Sequence, residues 1–124
     1  MKQLLDTNIV LYFLSGKLKK KLTNHQYCAS VITQLELLSY PALDHDAEST
    51  IKKFLNQIEI IDLNPKIVQK TVEIRKKYKL KLPDSIIVAT AAVLDVELLS
   101  NDRQFSKIPE FKCKSLELID FTEG

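Results

Sequence analysis

Lys2-Gln3-Leu4-Leu5-Asp6-Thr7-Asn8-Ile9-Val10-Leu11-Tyr12-Phe13-Leu14 reads as a short apolar strand, an acid, and then a helix that ends near Gly16. The same alternation returns along the chain. Tyr27–Val31 is the next strand, since Tyr, Cys and Val suit a pleated, buried surface. A helix follows over 33–40, where Pro41 stops it. Asp44–Gln57 has an amphipathic pattern, with Ile51, Phe54, Leu55 and Ile58 on one side. Glu59–Leu63 reads as a strand, and Pro65 suits the first turn of a helix reaching Tyr78. Pro83 opens Asp84–Leu94, apolar nearly all round and so expected to be buried. Glu97–Ser100 is a further strand, Ser115–Ile119 a last one, and Lys17–Leu22 a helical turn. Strands alternating with helices predict an α/β fold with a parallel sheet covered on both faces.

With 124 residues, the chain fits one domain over 1–124. Apolar residues make up 45% and charged residues 27%, enough apolar side chain to offset the ordering entropy, so disorder is not expected. The longest apolar runs, Ile9–Leu14 and Ile86–Leu94, fall short of the roughly 20 residues of a membrane span. Asp6 comes too early for a signal peptide's apolar region, which predicts a cytoplasmic protein. Cys28 and Cys113 lie far apart with no Cys-x-x-Cys spacing; Cys28 reads as a small core residue. His25 and His45 sit in polar surroundings with no nucleophile beside them.

The net charge of +2 does not by itself imply nucleic acid, but its distribution is uneven. Lys17, Lys19, Lys20 and Lys21 form one basic cluster; Lys66, Lys70, Arg75, Lys76, Lys77, Lys79 and Lys81 form another. Either could meet phosphates or simply form a solvated face.

In open sheets of this type, ligands bind beyond the carboxyl ends of the strands. Four acids fall at such places: Asp6, Glu36, Asp84 and Asp102. Each has a local explanation. Asp6 can cap the first helix. Thr33-Gln-Leu-Glu36 fits a capping box. Asp84 suits a helix's first turn, and Asn101-Asp102 suits a turn. Four such coincidences on one rim point to a joint role. Carboxylates held together repel, and a divalent cation relieves the conflict. An all-oxygen donor set suits Mg²⁺ or Mn²⁺, which polarises a phosphodiester and lowers the pKa of a bound water.

Leu4-Leu5-Asp6-Thr7-Asn8 resembles the opening motif of PIN domains, and Ser30-Val31-Ile32-Thr33-Gln34-Leu35-Glu36 resembles their second. Leu82-Pro83-Asp84-Ser85-Ile86-Ile87-Val88-Ala89 and Leu98-Leu99-Ser100-Asn101-Asp102-Arg103-Gln104-Phe105 resemble the third and fourth. The motifs stand in family order and together span positions 4 to 105. The resemblance implies a three-layer α/β/α fold with a five-stranded parallel sheet, Mg²⁺ or Mn²⁺, and hydrolysis of RNA. It implies Asp6 and Asp84 as principal metal ligands, Glu36 and Asp102 completing the acidic site directly or through water, and Asn8 and Ser100 orienting them. Many members carry a further acid where this chain has Gln104.

The chain's brevity resembles the VapC type of toxin, implying a cognate antitoxin and a second copy of the chain as partners. Ile9–Leu14 and the stretch 35–40 are candidate surfaces for them, and Arg103 is the basic residue nearest the acids. Three other readings compete. A structure-specific DNA nuclease would want an added DNA-binding element. A response-regulator receiver would want an acidic pair after its first strand, where Asp6 stands alone. A catalytically silent scaffold binding RNA or protein would not need all four acids.

Overall fold

Leu4 and Leu5 are adjacent and both fully buried, yet they belong to different cores. Successive side chains of a strand point to opposite faces, so this pair requires cover on both sides of the sheet. Leu98 and Leu99 repeat the arrangement on another strand. The computed structural model, which describes residues 2–22 and 26–119, supplies that cover as helical layers.

In chain order the elements are β1 (Lys2–Leu5), α1 (Thr7–Leu14), β2 (Gln26–Ser30), α2 (Val31–Leu38), α3 (His45–Leu55) and β3 (Glu59–Ile61). Then come α4 (Pro65–Tyr78), α5 (Leu82–Leu94), β4 (Glu97–Leu99), a 3₁₀ turn (Phe105–Lys107) and β5 (Cys113–Lys114). The five strands form one sheet in the order β3-β2-β1-β4-β5, and every pairing is parallel. One core joins Leu4, Cys28 and Leu98 to Ile74 of α4 and Ile87, Val88 and Ala91 of α5. The other joins Leu5 and Leu99 to Ile9 and Val10 of α1, Leu37 of α2, and Ile51 and Leu55 of α3. The fold is the expected three-layer α/β/α arrangement.

The helix ends follow local chemistry. Asn64 caps α4 by accepting from the Ile67 N–H at 2.9 Å, Pro65 fills the first turn, and Arg75, Lys76 and Lys77 crowd the last. Asp44 caps α3 through the Ala47 N–H at 2.7 Å. With only two glycines in the chain, α4 and α5 end on Lys79 and Asp95 in the left-handed conformation, at φ of 56° and 54°. Ser85 to Ala91 of α5 are buried without a break, as its all-round apolarity predicted. No helix among the described residues is long and apolar enough to cross a membrane. Cys28 is a core residue whose thiol is pushed up to about 11 by burial. His25 lies outside the described residues, and His45 is exposed at the start of α3.

Three expectations require correction. Residues 17–22 form no helical turn. The Lys19 N–H donates to the Glu117 carbonyl and the Ile119 N–H to the Lys17 carbonyl, making an antiparallel bridge at Leu18 and Leu118 that buries Leu18. The last strand is Cys113–Lys114 rather than 115–119. Beyond Lys114 the ladder is replaced by a side chain: Asn101 donates to the Leu116 carbonyl at 2.9 Å and accepts from its N–H at 2.7 Å. The helix expected over 33–40 instead spans Val31–Leu38, because Ser30 caps it by accepting from the Ile32 N–H at 3.0 Å.

The topology fixes where a site can form. From β1 the chain moves outward through β2 to β3, then crosses to β4 and β5 on the other side. The order therefore reverses between β1 and β4, and their carboxyl ends open a crevice.

Candidate active site

Asp6 and Ser100 stand at the mouth of that crevice, directly after β1 and β4. The Asp6 N–H donates to the Leu99 carbonyl at 3.0 Å, so the two strands stay laced up to the rim. Asp6 is the cap of α1: its Oδ1 accepts from the Thr7 N–H at 2.8 Å. Its Oδ2 accepts from the Ser100 hydroxyl at 2.7 Å. The local reading of Asp6 as a cap and its place in an acidic group are thus compatible. One oxygen serves the cap and the other meets Ser100.

Glu36 does not reach back to Thr33, so the capping box expected there is absent. Ser30 already caps α2, which puts Thr33 a turn inside, fully buried, and leaves Glu36 exposed. Glu36 Oε1 accepts from the Thr7 hydroxyl at 2.7 Å, and the Thr7 and Thr33 hydroxyls lie 3.0 Å apart. Thr7 therefore ties α1 to α2 and brings Glu36 to the same rim as Asp6. In the sequence Thr7 stands out only as part of the Asp6-Thr7-Asn8 motif. Its signal was a hydroxyl directly beside the strand-end acid.

Asp84 lies in the first turn of α5. A helix feeding a parallel strand runs antiparallel to it, so the N-terminus of α5 lies at the carboxyl rim of the sheet. Among the described residues no hydrogen bond engages the Asp84 carboxylate; burial and charges alone act on it. Asp102 follows β4, and its N–H donates to the Ser100 hydroxyl at 3.1 Å. Gln104 holds both Asp102 oxygens, with its N–H donating to Oδ1 at 3.1 Å and its side-chain amide to Oδ2 at 2.9 Å. Asn8 is exposed and lines a neighbouring groove rather than bonding to the acids.

The electrostatics join the four acids. Burial pushes the Asp6 carboxyl up; the Ser100 and Thr7 hydrogen bonds oppose it, the charges of Asp84 and Asp102 add to it, and the net shift is upward. Asp84 is also raised, first by burial and then by Asp102 and Glu36, against a small opposing pull from Lys81. Carboxylates that repel one another in a half-buried crevice attract a cation. The donors are all oxygen, which fits a hard divalent ion. Among the described residues no three His, Cys, Asp or Glu side chains are grouped closely enough to hold a metal ion together. Mg²⁺ keeps several waters and is commonly held by one or two carboxylates, so it does not require a group of three.

A groove of about 440 Å³ begins at Thr7 and Glu36 and continues over Leu11, Tyr40, Leu43 and Ile51. Leu11 and Tyr40 are 39% and 65% exposed on it.

The model of the PIN domain matches residues 4–111. The chain belongs to the PIN domain family. That match spans all four motifs and the acids they carry. No curated protein matches the sequence. Among solved structures, a toxin–antitoxin complex from Klebsiella pneumoniae is 33% identical, over 88% of this chain and 94% of that one, with a TM-score of 0.75. VapBC2 from Rickettsia felis, bound to a promoter DNA fragment, has a TM-score of 0.80 at 22% identity, covering 94% of this chain and 100% of that one. DNA-bound VapBC from Salmonella typhimurium has a TM-score of 0.76 at 20% identity, over 93% and 98% of the two chains. The last two are likenesses of fold.

Proposed function

We propose that this PIN-domain chain is a metal-dependent endoribonuclease and the toxin of a toxin–antitoxin pair. The observation that supports it most is the meeting of Asp6 and Asp84 at one rim, where burial first and then the charges of neighbouring acids raise both carboxyls. Buried carboxylates that also repel one another gain most from a divalent ion. Asp6 and Asp84 would hold Mg²⁺ or Mn²⁺, with Asp102 and Glu36 completing the acidic site. When bound, the ion supplies positive charge to a phosphodiester oxygen and lowers the pKa of an attached water.

The chain's own residues do the rest. Ser100 keeps Asp6 turned toward the crevice, and Thr7 does the same for Glu36. The N-termini of α1, α2 and α5 lie at this rim, and their dipoles favour the acids in the charged form. Arg103, exposed beside Asp102, would meet a phosphate of the RNA strand. The groove over Leu11 and Tyr40 would take an apolar segment of the cognate antitoxin. Because the groove shares Thr7 and Glu36 with the site, such a segment would also cover the acids. A second copy of the chain and a cytoplasmic setting belong to the same reading.

The test is cleavage of a mixed RNA pool by antitoxin-free protein with Mn²⁺, with EDTA, and with Asp6→Asn. The reading expects cutting that needs the metal and is lost in the variant. Cutting that survives both EDTA and the substitution would overturn it.

A further inference from the structure

Asp102 differs from the other acids in how it is held. Both of its oxygens accept from one residue, Gln104, through its backbone N–H at 3.1 Å and its side-chain amide at 2.9 Å. Its own N–H is fixed on the Ser100 hydroxyl at 3.1 Å. Asp84, by contrast, is engaged by no hydrogen bond among the described residues. Asp102 is close enough for its charge to act on both Asp6 and Asp84, yet among the described residues no three acids make a ready-made ligand group. Local hydrogen bonds from Gln104 turn the Asp102 carboxylate back onto its own turn.

We propose that Gln104 is a positioning residue that holds Asp102 out of direct contact with the metal, so that Asp102 reaches the ion only through water. This deepens the metal-dependent reading above and rests on it. The chemistry is a competition. Accepting a donor does not by itself bar a carboxylate from a cation, since each oxygen keeps a second lone pair, as at Asp6; at Asp102 both donors come from one residue of the same turn and fix the direction of the carboxylate. Gln104 is exposed, and its amide packs into no core, so removing it leaves the fold in place. An acid at position 104 would reverse the effect, putting a second negative charge against Asp102 where a neutral donor now stands.

The experiment is Mn²⁺ titration of the purified chain, followed by calorimetry and by the electron paramagnetic resonance of free Mn²⁺. Four proteins are compared: the parent, Gln104→Ala, Asp102→Asn and the double variant, with thermal melting as a check on folding. Gln104→Ala is expected to bind Mn²⁺ about tenfold tighter, the scale of one hydrogen bond to a charged group. Asp102→Asn alone is expected to weaken binding by no more than about 10- to 100-fold, the range for a group that acts on the metal from one shell out. In the double variant the gain disappears. Unchanged or weaker binding by Gln104→Ala would overturn the proposal while leaving the metal reading intact. So would loss of binding in Asp102→Asn alone. A parent chain that binds no Mn²⁺ would remove the metal reading, and this proposal with it.

Discussion

The Ser100 hydroxyl donates to Asp6 Oδ2 at 2.7 Å across 94 positions of sequence, and the same oxygen of Ser100 accepts the Asp102 N–H. Two acids from different motifs are thereby tied through one buried side chain. The bond exists because β1 and β4 are neighbours in register, with Leu5 opposite Leu99, so the residues directly after them meet. It also opposes the effect of burial on Asp6.

Ser100→Ala should therefore act on function more than on fold. Loss of the two hydrogen bonds of the Ser100 hydroxyl costs about 1–3 kcal/mol of stability. Cleavage should fall by about 10- to 100-fold, as for other groups that orient metal ligands. Without the donor, the Asp6 carboxyl rises further, so the acid limb of the pH–activity profile should move to higher pH. A profile that drops in height without moving would mean that Ser100 serves packing alone.

Asp84→Asn should abolish cleavage yet raise the melting temperature of the metal-free protein at neutral pH. Burial, then Asp102 and Glu36, hold the Asp84 carboxyl above its ordinary 3.8. The folded chain therefore keeps this proton at a pH where the unfolded chain has lost it. The stability from this group is complete below 3.8 and is lost as pH rises through the folded value. Asn carries no charge to repel, so the variant escapes that loss. Differential scanning calorimetry of both proteins at acid and neutral pH, in EDTA, reads the effect. Equal melting temperatures at neutral pH would contradict it.

Thr7→Val keeps the shape and the Thr7 N–H that holds Asp6, but removes the hydroxyl that meets Thr33 and Glu36. Thr33 is fully buried, so its hydroxyl is left short of a partner at a cost of about 1–3 kcal/mol. Urea unfolding should show that loss, and Thr7→Ser should restore most of it. Loss in both variants alike would mean that the methyl group matters and the hydroxyl does not.

Asp95→Gly should stabilise the protein by about 1 kcal/mol, because Asp95 ends α5 in the left-handed conformation that L side chains adopt at a cost. It lies away from the acids, after the far end of α5, so cleavage should not change. A lower unfolding midpoint would show that the Asp95 side chain makes up for its backbone.

Much of this was legible in the residues themselves. Leu4-Leu5-Asp6 followed by an apolar helix, and Pro83-Asp84 opening another, are local patterns of period, capping and turn chemistry, and local patterns survive in the sequence. The parallel sheet followed from their alternation, and the place of the acids from the rule that ligands sit at the strands' carboxyl ends. What the sequence could not fix depends on which strands become neighbours. Nothing near Thr33 indicated that Glu36 would turn to Thr7 rather than cap its own helix, because the competing cap, Ser30, is decided by where β2 stops. Nothing near 115–119 showed that Asn101 would replace the ladder there. The bond from Ser100 to Asp6 needs atoms placed to within a few tenths of an ångström. Only the packed sheet, with β4 beside β1, sets distances of that kind.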